Sequence, residues 1–381
     1  MFAPKLIESI WQRQSLWSKL GWVALTPFSL LFSVVARARN LGYDLGLLPV
    51  TRAPLTVISI GNLTVGGTGK TPLTLWLAQA LQQRGHTVAI VTRGYGGTAV
   101  GPTLVGQTGT PLVTPVEVGD EAVMLARRFA GVVIAGRDRA AAAQFAYQRF
   151  AADVVLLDDG FQHRRLQRDV DIVLLSARAP TNTWLLPAGP FREPLTSIRR
   201  AHTVILSKKT TIQEHSSPSL AERDTQHATR NTQHATRVFH ADLVPSALVQ
   251  TVQGQWHEQP LSDLTGKRSL VVTGIANPQP LYTSLKELGA EVARVVEFPD
   301  HHSYTHSEWQ KLVQEAEAFD LLLTTEKDLV KLERFSPVPD RLRALRVQLH
   351  LEPAEAFLTS IEQRYHSRNE DRTTHGRTIS H

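Results

Sequence analysis

The ten residues "TVGGTGKTPL", Thr64–Leu73, stand between an apolar run and the start of a helical pattern. A phosphate concentrates negative charge, and a glycine-rich turn lets several backbone N–H groups converge on it at a helix N-terminus. Gly66, Gly67 and Gly69 supply that backbone freedom, Lys70 would neutralise β- and γ-phosphates, and the Thr71 hydroxyl is placed for magnesium. The stretch departs from G-x-x-x-x-G-K-[ST] at its first position, where Thr64 stands in place of glycine and Gly61 lies three residues earlier. That first glycine eases the turn out of the strand, whereas the amides and the lysine that grip phosphate come later, so the match survives. The expected nucleotide cradle is Thr64, Val65, Gly66, Gly67, Thr68, Gly69, Lys70 and Thr71.

Working outward, "LTVISIGN" before the loop reads as a strand and Pro72–Arg84 after it as a helix, with Pro72 suited to an early helical position. "TVAIVTRG", "GVVIAGRD", "ADVVLLDDG" and "VDIVLLSA" follow as further strands. Runs apolar on both faces suit parallel strands covered by helices on both sides. The expectation is an α/β fold: a doubly wound, mostly parallel sheet of the P-loop NTPase type. A second, smaller α/β unit is expected from "RSLVVTGIANP", a helix over Gln279–Leu288, "EVARVVEFPDHH", a helix over Ser307–Ala318, and "DLLLTTEKD". Between the two lies a polar stretch, Thr210–Arg237, in which "TQHATR" occurs at Thr225–Arg230 and again at Thr232–Arg237. It reads as a duplicated insertion whose His227 and His234 are solvated rather than metal-bound. The boundaries expected are 1–50, 51–209, 210–237, 238–365 and a polar, disordered tail over 366–381.

The first fifty residues differ from the rest. Leu20–Ala36 carries no charge, with Lys19 before it and Arg37 and Arg39 after. A clean span needs roughly 20 apolar residues, and Pro27 interrupts this one. The segment therefore reads as a membrane-associating helix, with basic flanks and Trp11, Trp17 and Trp22 at head-group level. The tripeptide "ARA" at Ala36–Ala38 imitates a signal-peptidase site, but export would part the phosphate loop from ATP. Over 381 residues the chain is 42% hydrophobic, carries a formal charge of +6 and contains no cysteine. Disulfides and thiolate metal sites are excluded. The basic balance favours nucleotides or acidic lipid head groups; without basic–aromatic interleaving, no nucleic-acid partner is expected.

A phosphate loop needs an acidic partner at another strand end to hold magnesium. In "VVLLDDG" the residues Asp158 and Asp159 follow an apolar strand, and two adjacent carboxylates there are costly unless a cation or donor meets them.

The motifs "GNLTVGGTGKTP", "TRGYGG", "VGDEA", "GRDR", "LLDDGFQH", "LPAGPFREP", "GIANP", "FPDHHSY" and "TTEKD" appear in an order that resembles the tetraacyldisaccharide 4'-kinase family. The likeness runs from about Thr56 to Asp328, and Thr64 in place of glycine is part of it. It implies transfer of the ATP γ-phosphate to the 4'-hydroxyl of a lipid disaccharide 1-phosphate in lipid A biosynthesis, on the cytoplasmic face of the inner membrane. It also implies two α/β domains with the active site between them, and an Asp–His pair.

That pair maps to Asp120 of "VGDEA" as acceptor and His301 of "FPDHHSY" as its orienting partner, with His302 the second candidate. A sugar hydroxyl with a pKa far above neutrality needs such an acceptor. From the residues alone, "GDE" also reads as a helix start with Asp120 as N-cap. Positive charge must meet the transferring group; Arg192 of "GPFREP" is chosen, with Glu193 tying it down or reaching the magnesium shell beside Thr71, Asp158 and Asp159. Arg93, Arg137 and Arg139 are expected to bind the 1-phosphate of the lipid or the phosphates of ATP. The competing reading is a nucleotide-gated switch or chaperone-type ATPase binding a protein partner, which would need neither an Asp–His constellation nor a sugar site.

Overall fold

The computed structural model describes residues 4–13, 15–176, 182–208 and 237–376. Eight strands build the first half of the sheet: β1 (Thr56–Asn62), β2 (Val88–Thr92), β3 (Thr103–Gln107), β4 (Thr110–Pro111), β5 (Val132–Ala135), β6 (Val154–Asp158), β7 (Val170–Ser176) and β8 (Thr203–Lys208). Strands β8, β7, β1, β6, β2 and β5 run parallel in that order; β3 and β4 close the edge antiparallel. The apolar runs explain this. Side chains alternate across a strand, so Ile58 and Ile60 enter the core beneath α3 (Lys70–Gln83) while Val57 enters the core on the opposite face. Both faces are buried, as a doubly wound sheet requires.

The helices in chain order are α1 (Pro4–Gln12), α2 (Leu16–Asp44), α3 (Lys70–Gln83), α4 (Pro115–Val118), α5 (Asp120–Arg128), α6 (Arg139–Phe150), α7 (Gln279–Glu287), α8 (His306–Ala316), α9 (Glu326–Leu332) and α10 (Ala354–Gly376). Leu73 and Leu77 of α3 and Leu125 of α5 pack on one face of the sheet. The alanines Ala142, Ala143 and Ala146 let α6 lie close on the other.

The second half continues the same sheet. It contains β9 (Arg237–Val252), β10 (Gln255–Gln259), β11 (Arg268–Thr273), β12 (Glu291–Glu297), β13 (Leu321–Thr325) and β14 (Leu342–Glu352). The long β9 is the seam: it pairs parallel with β8 and antiparallel with β14, and β13, β11 and β12 follow in parallel. Pro245 of β9 sits where the register with β14 shifts between Arg346 and Val347, a bulge that spares the ladder the donor proline lacks. The insertion Thr210–Arg237 lies outside the described residues except for Arg237, which opens β9.

One expectation is corrected. The region after Tyr365, expected disordered, continues α10 to Gly376. Phe357, Leu358 and Ile361 seat the helix in the core, and once a packed segment has nucleated a helix, further turns add at little cost. The three N-terminal tryptophans differ in their surroundings. Trp17 is exposed, whereas the Trp11 ring N–H donates to the Pro187 carbonyl at 2.9 Å and Trp22 packs edge-on against Trp184.

Helix α2 is long and apolar enough to cross a membrane. Its buried stripe is Ser18, Ser29, Ala36 and Asn40, while Leu20, Val23, Leu30, Leu31 and Val34 face outward. A helix made for water shows the reverse arrangement.

Candidate active site

The phosphate loop leaves β1 and enters α3 through Gly69, the N-cap, at φ 91°. Gly66 at φ 107° is also left-handed, so both positions need glycine. Thr64 forms an antiparallel bridge to Phe191, and the Val65 N–H donates to Pro190 at 2.9 Å. The backbone there is extended and paired, which threonine accepts readily; this accounts for the missing first glycine. Gly61 serves a different need, because a Cβ there would come within 2.5 Å of the Phe161 Cβ.

Asp158 ends β6 beside this loop. The Thr71 and Thr74 hydroxyls each donate to its carboxylate at 3.1 Å. Burial, with the fields of Glu121 and Asp159 added, pushes its carboxyl up to about 6. Asp159, at φ 55°, turns its carboxylate to Arg192 at 2.8 Å and Lys70 at 3.6 Å. Burial alone would raise Asp159, but Lys70 and Arg192 outweigh it and hold the carboxyl below its ordinary value.

The second corner comes from both halves of the sheet. Asp120 is the first residue of α5, not its N-cap, which is Gly119. His301 follows β12, and its Nδ1 lies 3.4 Å from Asp120 Oδ1. Lys331 Nζ approaches Asp120 Oδ2 at 3.8 Å. Burial would raise Asp120, but His301, Lys327 and Lys331 together hold it below the carboxylate range. The same contact with Asp120 raises His301 above 6.5 against burial and the field of Lys327. His302 faces away: its Nε2 is 3.2 Å from Glu308 and its ring stacks on Phe298. Of the two histidines, His301 is the one that meets Asp120.

The two corners come from half-sheets of opposite strand direction. Lys70 follows β1 and Asp158 ends β6, at carboxyl ends of the first half; His301 follows β12 and Lys327 follows β13, at carboxyl ends of the second, whose strands are reversed by the antiparallel β9–β14 pairing. Open α/β sheets bind ligands at such strand ends, and the contacts of His301 with Asp120 and of Lys327 with Glu121 bring the two sets together. Glu121, next to Asp120, is close enough for its charge to raise Asp158.

The model of one family, tetraacyldisaccharide-1-P 4'-kinase, matches residues 21–366. The tetraacyldisaccharide 4'-kinase of Anaeromyxobacter sp. (strain K) is 40% identical over 357 residues, covering 91% of each chain. That of Syntrophus aciditrophicus (strain SB) is 37% identical over 340 residues, 87% of this chain and 90% of its own. The structure of LpxK from Aquifex aeolicus in complex with ATP superposes with a TM-score of 0.72 at 31% identity, covering 90% of this chain and 99% of that one. The chain belongs to the tetraacyldisaccharide-1-P 4'-kinase family. It is a kinase.

Within this family member the remaining expected residues divide. Arg192 is fixed at the cradle, its N–H donating to the Leu63 carbonyl at 2.8 Å while its guanidinium holds Asp159. Arg93 and Arg137 line one cleft with Gly94, Val118 and Gly136. Arg139 does not join them. It is buried, with its guanidinium donating to the Gly136 and Asp158 carbonyls at 3.3 and 2.8 Å, and burial lowers it to about 10. It braces the end of β6.

Glu193 ties down Arg200 rather than Arg192: it is buried against α2, accepting from Asn40 at 3.0 Å and pairing with Arg200 at 2.9 Å. Residues that sequence reasoning passed over are Thr74 and Lys331; Lys327 lay in the quoted "TTEKD" without a role. Lys327 and Lys331, four apart on α9, share one helix face, the one available signal that they act together.

Proposed function

We propose that this kinase moves the γ-phosphate of ATP to the 4'-hydroxyl of a tetraacyldisaccharide 1-phosphate, giving the 1,4'-bisphosphorylated lipid of lipid A biosynthesis. The observation that carries the reading is the Asp120–His301 contact at 3.4 Å, beside Glu121, whose charge reaches Asp158 next to the phosphate loop. In this scheme the loop amides of Gly66–Gly69 and the Lys70 ammonium grip the β- and γ-phosphates. Arg192 turns its charge to the transferring group. Asp120 accepts the proton as the hydroxyl oxygen forms its bond to phosphorus and the bond to the ADP oxygen breaks. Because Asp120 is held below its ordinary value, it is a weak base at rest. Proton transfer therefore follows oxygen–phosphorus bonding, which suits a loose transition state. Arg93 and Arg137 form an anion-binding floor for a phosphate group of one of the two substrates.

The donor set fits magnesium. Asp158 is buried, receives only hydroxyl donors and is pushed upward, the mark of a negative site short of positive charge. Among the described residues no three His, Asp or Glu side chains form a closed cage. The Thr71 hydroxyl with Asp158 and Asp159 would therefore share the ion with nucleotide phosphates, as oxygen-preferring magnesium does. Bound there, it would neutralise charge on the β- and γ-phosphates.

The outward apolar face of α2 supports membrane association; a seat on the cytoplasmic face of the inner membrane would put ATP on the same side as the phosphate loop, beside a substrate whose acyl chains lie in the bilayer. Replacing Leu30 and Leu31 by serine should reduce co-flotation with anionic lipid vesicles by about tenfold or more; unchanged flotation removes the anchor.

The deciding experiment is incubation with γ-labelled ATP and purified disaccharide 1-phosphate. Label in the lipid is expected. Label released only as inorganic phosphate would favour the nucleotide-gated switch instead.

A further inference from the structure

We propose that Lys327 is a positioning residue for the transfer, fixing neutral His301 in the tautomer that carries its proton on Nδ1, toward Asp120. This rests on the acceptor role of Asp120 given above. Lys327 Nζ lies 3.2 Å from His301 Nε2. An ammonium has three donors and no acceptor. Burial would discharge Lys327, but Glu121, Asp120 and Asp300 outweigh it and raise its pKa above 10.5, so the group stays charged. A hydrogen bond between the two is possible only if Nε2 offers its lone pair. The single proton of the neutral ring then sits on Nδ1, and Nδ1 is the atom 3.4 Å from Asp120 Oδ1.

Lys327 grips the backbone as well as the ring. His301 is in left-handed conformation at φ 58°, a costly state for a residue with a Cβ. Its N–H donates to Asp300 Oδ1 at 3.0 Å, and Lys327 donates to that same oxygen at 3.1 Å. The lysine itself is held in place. Its helix begins at Thr325, whose hydroxyl accepts from the Asp328 N–H at 3.1 Å, and buried Asp328 accepts from the Gly274 N–H and the Tyr304 hydroxyl. The charged groups facing His301 are Asp120 on α5, Asp300 on its own loop and Lys327 on α9; Tyr95 packs its ring 5.1 Å away. Glu121 reaches Lys327 at 3.3 Å, and Lys331 reaches Asp120.

The consequence is chemical. A protonated His301 would present Nε2–H to the ammonium, so Lys327 resists the imidazolium that Asp120 favours. Neutral His301 orients Asp120 through Nδ1–H while leaving it a better proton acceptor than an imidazolium partner would. Without Lys327 the ring would protonate at higher pH, and in its neutral form would be free to place the proton on Nε2.

The test uses the full-length protein in detergent micelles with 15N-labelled histidine, the His301 signals being assigned by their loss in His301→Gln. Wild type should show the Nδ1–H tautomer. Lys327→Met should lose that preference and raise the His301 pKa. It should also move the acid limb of the kcat–pH profile upward and lower kcat about tenfold or more, with KM for ATP changed less than about twofold. Lys327→Arg keeps a charged donor and should restore the tautomer and most of kcat. A wild-type ring protonated on Nε2, or a Lys327→Met ring unchanged in tautomer and pKa, overturns the proposal. Full activity in Asp120→Asn would instead overturn the acceptor assignment, and the histidine spectrum tells the two failures apart.

Discussion

Between Thr64 and Thr71 the chain makes its nucleotide cradle from consecutive residues, whereas Asp120 and His301 stand in opposite halves of the sheet and meet only through the tertiary fold. The cradle is a local structure: glycines at φ 107° and 91°, a lysine and a hydroxyl in one turn, with β6 alongside to bring Asp158. The pair depends on the seam strand β9 and on ion pairs that tie α5 to α9 and β14. Arg128 and Arg346 both hold buried Glu326, at 3.0 and 2.7 Å, and Arg127 holds Glu333 at 3.0 Å. A local cradle should therefore survive disturbances that the distant pair does not.

The largest effect is expected at the cradle itself. Lys70→Ala removes the ammonium that meets the β- and γ-phosphates and should lower kcat/KM by about 10³-fold or more, with a marked loss of ATP affinity. Calorimetric titration with ATP checks it, and retained affinity would take Lys70 out of the cradle. Asp120→Asn should lower kcat by about 10²- to 10⁴-fold while ATP binds nearly as in wild type. This contrast between the variants separates the two corners, and an Asp120→Asn protein that no longer bound ATP would merge them.

Glu326→Ala probes the tie. It strands Arg128 and Arg346 in a buried position, at a cost of about 3 kcal/mol in unfolding free energy. Chemical denaturation measures the loss. In the folded variant kcat should fall while ATP affinity holds, because α5 and α9 carry Asp120 and Lys327 and no part of the loop. An equal loss in ATP affinity would show that the cradle is not local after all.

What the sequence made legible follows the same division. Lys70, Thr71, Asp158 and Asp159 could be read from a contiguous motif and from strand ends, because their chemistry and their placement lie within a few residues of each other. Asp120 and His301 came through family likeness; "GDE" alone reads equally as a helix start, and Asp120 does begin α5. The partner of Glu193 was not legible, because adjacency in sequence does not fix adjacency in space. The chain bends at these two residues, so Arg192 faces Asp159 while Glu193 turns to Asn40 of α2. Arg139 was hard to read for another reason: a guanidinium at the first position of a helix can satisfy carbonyls as readily as phosphates. Strands β9 and β14 carry no continuous apolar run of the kind that marked the parallel strands, and their pairing is antiparallel.

The smallest expected effect is a pH dependence, and it sharpens the comparison because only the assembled pair carries it. His301 is raised above 6.5 by Asp120 against burial and Lys327. A raised histidine stabilises the fold below its unfolded value and loses that contribution as pH climbs through the folded one. Asp120 is held below 3.8, so its contribution is present above 3.8 and is lost only as pH falls through the lower folded value. Both contributions coexist between about pH 4 and pH 6.5. The stability advantage of wild type over His301→Gln should thus be greater at about pH 5.5 than at about pH 8, read as the difference between their denaturation midpoints at each pH. In the Asp120→Asn background the advantage should no longer be greater at the lower pH, since the amide offers no charge to raise the imidazole against burial and Lys327. A wild-type advantage that is flat across that range, or one that grows toward pH 8, would mean that the two side chains lie near each other without forming an ion pair in solution.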